Sequence, residues 1–306
     1  MEVLIATEKP FAKVAVDGIR KVIEEAGYTL KLLEKYTSQA ELLNAVATAD
    51  ALIVRSDKVT PEVFDAAKNL KIVVRAGAGY DNIDLASASQ HGVVVENTPG
   101  QNANAVAELV VGMAILAARN NFDGTSGTEL KNKKIGLQAF GQVGRNVARI
   151  AQGLGMAVSA LDPYCPDEVI VEAGVEPVKN VEELYADNRY VSIHIPATEE
   201  TKKSIGYDLI TKMPKNGVLI NTARKEVIEE EGLIKALRER PDLKYVADVR
   251  PDAAEDMEKE FGARVFFTPK KMGAQTSEAN INAGIAAARQ IVAFFKDGDR
   301  RYQVNK

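Results

Sequence analysis

Short β-branched runs alternate with amphipathic stretches along this chain, and the alternation runs through twice. The first round offers strands at "VLIAT" (3–7), "TLKLLE" (29–34), "ALIVRS" (51–56), "KIVVRAG" (71–77) and "GVVVENT" (92–98). Helical patterns separate them, at about 10–26, "SQAELLNAVA" (38–47) and "PEVFDAAKNL" (61–70). Strands that each give way to a helix pair in parallel, because a crossover must return the chain to the same end of the sheet. The second round runs through "KKIGLQAF" (133–140), a helix over 142–153, "AVSALD" (157–162), "YVSIHIP" (190–196), "GVLINTA" (217–223), "KYVADV" (244–249) and "RVFFTP" (264–269). The pattern therefore predicts an α/β fold with two parallel sheets, each covered by helices. Between the rounds lies "NAVAELVVGMAILAARN" (104–120), apolar nearly all round and so expected to be buried. The stretch "NNFDGTSGTELKNK" (121–134), rich in Asn, Gly, Ser and Thr, reads as the interdomain linker. The last helix, "SEANINAGIAAARQIVAFFKDG" (277–298), follows the second sheet. It is expected to pack back on the first domain, which makes the second domain an insertion.

The second round opens with "AFGQVGRNVA" (139–148), a strand-to-helix turn that approximates Gly-x-Gly-x-x-Gly. Ala139 stands at the first glycine position, and Gly141 and Gly144 fill the other two. The first position serves a tight turn, the second lets a diphosphate approach the backbone, and the third lets helix and strand pack closely. The diphosphate is expected on the helix N-terminus, at the amides of Gln142 and Val143. About 20 residues on, Asp162 ends the next strand, where an acid accepts the ribose hydroxyls of NAD and repels the 2′-phosphate of NADP. The expected cofactor is NAD.

The 306 residues suffice for about two domains. A net charge of −4 with mixed signs, and no basic block, favours neither nucleic acid nor an anionic membrane as partner. One cysteine, Cys165, and two histidines, His91 and His194, supply no metal-site spacing. No apolar run reaches the ~18 residues of a transmembrane helix. The chain starts on a strand and not on a signal peptide, so a cytoplasmic protein is expected.

The segments "LIVRSDKVT" (52–60), "VVRAGAGYDNIDLASASQHGVVVENTPGQNANAVAEL" (73–109), "GTELKNKKIGLQAFGQVGRNVA" (127–148), "LDPY" (161–164), "HIPATEETKKSI" (194–205), "LINTARKEVI" (219–228), "ADV" (247–249) and "GAQTSEA" (273–279) resemble, in order and spacing, the D-isomer-specific 2-hydroxyacid dehydrogenases. The resemblance implies two doubly wound parallel-sheet domains with the active site in the cleft between them. A flavodoxin-like substrate domain would span 1–98 plus 275–306, a Rossmann NAD domain 99–274, with a homodimer built through the latter. Longer relatives add a C-terminal regulatory domain, for which a chain ending at Lys306 is read as leaving no room. The implied chemistry is oxidation of a phosphorylated 2-hydroxy acid, D-3-phosphoglycerate, to 3-phosphohydroxypyruvate, the first step of serine biosynthesis.

The resemblance also carries residues. Arg224, in "NTAR", matches the arginine that binds the substrate carboxylate and polarises the 2-oxo group. The loop "RAGAGYDN" (75–82) can hold an anion on its amides from Ala76 to Gly79. Arg55, Ser56, Arg75, Ala76, Gly77 and Asn102 are the further substrate-side candidates, with Asn97–Asn104 as hinge. Ala78, Ile195, Thr222 and Ala223 are expected to border the cofactor, as are Arg224, Gly273 and Ala274. Asp248 matches an acid on the nicotinamide side.

Two positions depart from the family. Its glutamate should fall at Ala253, with Asp252 and Glu255 as neighbouring acids. Its histidine should follow Thr268-Pro269 in "TPKKMGAQT", where Lys270 and Lys271 stand instead. A lysine ordinarily keeps its proton to about pH 10.4. A lysine base therefore needs neighbouring cations and partial burial to release it. A carboxylate partner, useful beside histidine, would work against that release, so the loss of both family residues reads as one coordinated exchange. Lys270 follows the proline, whereas counting back from "GAQT" selects Lys271, and both stay candidates. The alternatives are a glyoxylate or hydroxypyruvate reductase of the same family, and a non-catalytic NAD-binding sensor or corepressor-like protein.

Overall fold

The computed structural model describes residues 1–305. In chain order the elements of the first round are β1 (Glu2–Thr7), α1 (Lys13–Glu25), β2 (Thr29–Glu34), α2 (Gln39–Val46), β3 (Ala51–Val54), α3 (Pro61–Ala66), β4 (Ile72–Arg75), α4 (Leu85–Gln90) and β5 (Val94–Asn97). There follow α5 (Ala103–Ala118), β6 (Lys134–Gln138), α6 (Gln142–Gly153), β7 (Ala157–Leu161), α7 (Asp167–Glu172), β8 (Glu176–Pro177), α8 (Val181–Asp187), β9 (Tyr190–Ile193), α9 (Tyr207–Ile210), β10 (Val218–Asn221), α10 (Glu230–Glu239), β11 (Lys244–Ala247), α11 (Ala254–Phe261), β12 (Val265–Phe267) and α12 (Ser277–Asp297).

The chain divides into two units, Met1–Asn102 with Gln275–Lys306, and Ala103–Ala274. The first holds a five-stranded parallel sheet in the order β2-β1-β3-β4-β5. Its inner strands β1, β3 and β4 read as continuous apolar runs because both faces are covered. Ala51 and Ile53 of β3 enter one core, and Leu52 and Val54 the other. Helix α12 belongs to this unit and lies on α1, where Gly284 approaches Ile19 and Phe11, and Gly18 approaches Ile285. It starts on Thr276, whose hydroxyl accepts from Ala279 N, and stops at Gly298 with φ 68°.

The second unit holds a seven-stranded parallel sheet in the order β12-β11-β10-β9-β6-β7-β8. Here too alternate residues of one strand feed opposite cores: Val218 and Ile220 of β10 go to one, Leu219 to the other. Helix α5 buries Ala107, Val110, Met113, Ala114 and Ala117, which accounts for its near-uniform apolarity.

Residues 121–134 do not link the units. They lie inside the second, where they turn the chain from α5 into β6. Thr128 N donates to the carbonyl of Ala118, and Lys244 Nζ to that of Ala117 and to Asn120 Oδ1. These contacts satisfy the last carbonyls of α5. A composition rich in Asn, Gly, Ser and Thr is shared by tight turns and linkers, and the cap decides between them. The chain crosses between units at Asn102–Ala103 and Ala274–Gln275.

Candidate active site

The register of the second sheet aligns the last residues of six neighbouring strands in one row: Phe267, Ala247, Asn221, Ile193, Gln138 and Leu161. The next residue on each strand is Thr268, Asp248, Thr222, His194, Ala139 and Asp162. One edge of one sheet thus gathers side chains more than a hundred positions apart. It is the carboxyl edge, where ligands bind in open α/β sheets.

At the β6–α6 turn Ala139 adopts φ 91°, a conformation that suits glycine. Gly141 caps α6, and the first helical amide with an acceptor is Arg145 N, to Gly141 O at 3.0 Å. The amides of Gln142, Val143 and Gly144 have no intrahelical acceptor. A Cβ on Gly141 would meet no atom within 4 Å, so there is room above it. Asp162 turns toward the same place, its Oδ2 accepting from Phe140 N at 2.8 Å and its Oδ1 from Tyr164 N at 2.9 Å. Beyond the neighbouring strands, Thr222 Oγ1 and His194 Nε2 are buried without a hydrogen-bond partner among the described residues. Outward amides, open space and an anchored acid at the right spacing fit a dinucleotide.

The loop after β10 is fixed by a buried asparagine. Asn221 Nδ2 donates to Arg224 O at 2.9 Å, and its Oδ1 accepts from Ala223 N at 3.0 Å. The carbonyl of Ala223 then accepts from two cations, Arg224 Nη1 at 2.9 Å and Lys271 Nζ at 3.2 Å. Lys271 therefore lies beside Arg224, whereas no such contact joins Lys270 to that loop. Both lysines are exposed, so the burial expected to help free a lysine proton is missing from this unit. Gly273 is buried and Ala274 half-buried on the same loop, and Ile195 is half-buried after His194.

Asp248 is 1% exposed, and both its carboxylate oxygens are occupied. Oδ1 accepts from Met272 N at 2.6 Å and Thr268 Oγ1 at 2.8 Å, and Oδ2 from Gly273 N at 2.8 Å. The two neighbouring acids are both exposed. Asp252 is an exposed partner of Lys225, whose side chain contacts it directly, and Glu255 is exposed in the first turn of α11. Neither histidine lies on the two-lysine loop. Burial pushes the His194 imidazole down to about 4 and keeps it neutral near pH 7. His91 contacts Ser87 O and Asp65 and stacks on Phe64 in the first unit.

In the first unit the corresponding edge carries Arg55 and Ser56 after β3, Arg75 at the end of β4, and Ala76 and Gly77 beyond it. Arg55 Nη1 donates to Lys9 O and Pro10 O, Nη2 to Asn280 Oδ1 at 2.5 Å, and its guanidinium sits over Phe11. Arg75 Nε donates to Arg55 O at 2.9 Å, and its guanidinium folds over the α-carbon of Gly77, whose φ is 154°. The anion loop is narrower than expected. Ala76 N donates to Val54 O and Gly77 N to Arg75 O, both at 2.8 Å. The amides of Ala78 and Gly79 are the ones that have no acceptor among the described residues. Ala78 is exposed, and Asn102 is the last residue before the crossing. Asn221, Thr268 and Asn280, which orient these groups, were not picked out from the sequence, though a polar residue at a strand end or in a first helical turn is a usable signal.

A family model for the D-isomer specific 2-hydroxyacid dehydrogenase NAD-binding domain matches residues 106–269. The D-3-phosphoglycerate dehydrogenase of Methanocaldococcus jannaschii is 36% identical over 286 residues, covering 89% of this chain and 54% of its own. The chain thus spans about half the length of that relative, as it does of the Arabidopsis thaliana enzyme of that name, of which 44% is covered. A hydroxypyruvate reductase of Thermotoga maritima is 34% identical, with 86% of this chain and 90% of that one covered. Among solved structures, the NAD+-bound 3-phosphoglycerate dehydrogenase of Entamoeba histolytica matches with TM-score 0.89 and 48% identity, over 100% of this chain and 99% of that one.

Proposed function

The chain belongs to the D-isomer-specific 2-hydroxyacid dehydrogenase family, and we propose that it oxidises D-3-phosphoglycerate to 3-phosphohydroxypyruvate with NAD. The observation that carries this reading is the shared acceptor at Ala223, which sets Lys271 Nζ beside the Arg224 guanidinium. NAD, held by the amides of Gln142 and Val143 and by Asp162, supplies the hydride acceptor. Arg224 binds the substrate carboxylate and polarises the C2 oxygen as it becomes a carbonyl. Lys271, in its neutral form, takes the proton of the C2 hydroxyl while the C2 hydrogen leaves as hydride. Arg55 and Arg75, with the amides of Ala78 and Gly79, hold the phosphate. Domain roles follow: substrate on 1–98 plus 275–306, cofactor on 99–274, in a cytoplasmic homodimer that opens serine biosynthesis.

The test is NADH formation from 3-phosphoglycerate by wild type, Lys270→Ala and Lys271→Ala. Lys271→Ala loses about 10²-fold or more, the usual contribution of a positioned acid/base, and Lys270→Ala keeps most of the rate. Wild-type oxidation rises toward alkaline pH, since the base acts without its proton. Full rate in both alanine variants, or NAD binding with no turnover of any 2-hydroxy acid, overturns the reading. A second reading, hydroxypyruvate reduction, is favoured by the relative of that name with 90% of its length covered. A preference for unphosphorylated hydroxypyruvate would select it. Sedimentation of the purified chain as a monomer would remove the dimer.

A further inference from the structure

Within the first unit, just before the chain crosses at Asn102–Ala103, lies a pocket of about 300 Å³. Pro99 and Gln101 form one wall, Asn282, Arg289 and Gln290 of α12 a second, and Tyr302 of the C-terminal segment a third. All three walls are fastened to β5. Gln290 Nε2 donates to Asn97 O at 3.0 Å and so holds α12 against the strand end. Val304 N donates to Val95 O at 2.9 Å, and the Asn305 side chain accepts from Val95 N at 2.7 Å and donates to Val93 O at 2.8 Å. Residues 98–101 continue β5 itself, with Thr98 N on Gly77 O at 2.9 Å. The pocket is thus shaped before anything enters it, and a ligand need not order it.

Its polar groups, by contrast, are uncommitted. Arg289 is exposed and makes no hydrogen bond, ion pair or ring contact with any described residue. The carboxamides of Gln101 and Asn282 and the hydroxyl of Tyr302 have no hydrogen-bond partner among the described residues either. Among the described residues that line the pocket, Arg289 carries the only charge. The acids around Tyr302 are engaged: Glu96 is buried and accepts from Tyr302 N, and Asp299 pairs with Arg301 at 2.6 Å. An unpaired guanidinium presents a planar fork of N–H donors that matches a carboxylate or a phosphate. We infer that this pocket binds a small anionic metabolite, its phosphate or carboxylate gripped by Arg289 and its hydroxyl or carbonyl groups met by Gln101, Asn282 and Tyr302. The site shares no residue with the anion site proposed at Arg55, Arg75, Ala78 and Gly79, and it does not depend on the proposed reaction. A ligand there joins α12 to residues 99–101 and so stiffens the stretch read as the hinge, 97–104.

The test titrates the whole chain with two probes, glycerol 2-phosphate and succinate, by calorimetry. Wild type and Arg289→Gln are compared, each also with Arg55→Lys to subtract the anion site proposed there. Arg289→Gln changes an exposed, unpaired side chain and should melt with wild type. At least one probe binds wild type with a Kd below about 1 mM, the upper end of ordinary small-molecule affinities. Arg289→Gln weakens that binding about tenfold or more, as loss of a charge-assisted grip implies. Arg289→Lys, which keeps the charge without the fork, falls between. The tighter probe tells phosphate from carboxylate. Hydrogen exchange locates the site: the amides of Gly100, Gln101 and Asn102 slow when the probe is added to wild type, and not in Arg289→Gln. Equal affinity in Arg289→Gln, or no binding of either probe below about 1 mM, overturns the inference. So does weaker binding with exchange at 100–102 untouched in wild type, which makes Arg289 a distant charge acting on an anion held elsewhere.

Discussion

The carbonyl oxygen of Ala139 occupies the space that a Cβ on Gly144 would need. The two residues bracket the β6–α6 turn, and each carries the opposite of what the other tolerates. Ala139 has a Cβ at φ 91°, where holding a side chain costs about 1–3 kcal/mol. Ala139→Gly relieves that strain and gives back about 0.4–1 kcal/mol in unfolded-state entropy. The net gain is about 1 kcal/mol, read as a rise of about 2–4 °C in the melting temperature. Gly144→Ala pushes α6 off β6 and lowers it. A melting temperature unchanged in Ala139→Gly would mean the turn is unstrained.

Gly141 separates cofactor binding from folding. Its φ of −73° suits any residue, and its Cβ would enter open space. Gly141→Ala should therefore melt with wild type. If a diphosphate seats on the amides of Gln142 and Val143, the added methyl meets it, and NADH binds about tenfold or more weaker, the effect of about 1.4 kcal/mol. Undiminished affinity would move the diphosphate away from this turn.

The alternation of strands and helices was legible because parallel strands covered on both faces leave unbroken apolar runs such as Ala51–Val54 and the first three residues of β10, Val218, Leu219 and Ile220. The two-residue strand β8 was not, since Glu176–Pro177 carries no pattern. The motif spacing located the carboxyl edge of the second sheet, because a strand end followed by a glycine turn or an acid is local information. What holds those residues is not local. Asp248 and Met272 lie 24 positions apart, and Arg55 and Asn280 are separated by 225. Spacing suggested a cofactor contact for Asp248, and gave no sign of its hydrogen bonds to Thr268, Met272 and Gly273. The amide of Ala76, expected to face an anion, is likewise spent on distant Val54, and that of Gly77 on Arg75 within its own turn.

Glu96 gives the first unit a pH dependence of definite sign. It is 1% exposed and sits in a register row with Leu32, Ile5, Ile53 and Val74. Burial, then the nearby Asp299, raise its carboxyl to about 7, against Tyr302 N and Arg301, which lower it. A folded value above the unfolded one means that its stabilisation is complete below about pH 4.5 and is lost as pH rises through 7. At about 1.36 kcal/mol per unit the ceiling is about 3 kcal/mol. His194 in the second unit has the reverse sign: its folded value near 4 makes stability fall as pH drops below about 6.5. Glu96→Gln should remove the loss between pH 5 and 7 and leave the acid-side loss in place. Parallel pH profiles of melting temperature for wild type and variant would show that Glu96 does not titrate there.

Arg55 carries the phosphate preference in the proposed reaction, and its contacts say why lysine cannot replace it. Its guanidinium is aimed by three neutral acceptors, Lys9 O, Pro10 O and Asn280 Oδ1, and braced by the Phe11 ring at 5.0 Å. Neutral acceptors orient the fork, and nearby Asp57 is the carboxylate that offsets part of its charge. A lysine brings the charge but has no planar fork to reach the same acceptors. In Arg55→Lys the ratio of kcat/KM for 3-phosphoglycerate to that for an unphosphorylated 2-hydroxy acid should fall about tenfold or more, the cost of about 1.4 kcal/mol in transition-state binding. The unphosphorylated substrate, which never uses this group, should keep most of its rate. An equal fall with both substrates would make Arg55 a brace between the β1–α1 loop and α12, and would leave the phosphate to Arg75 and the amides of Ala78 and Gly79.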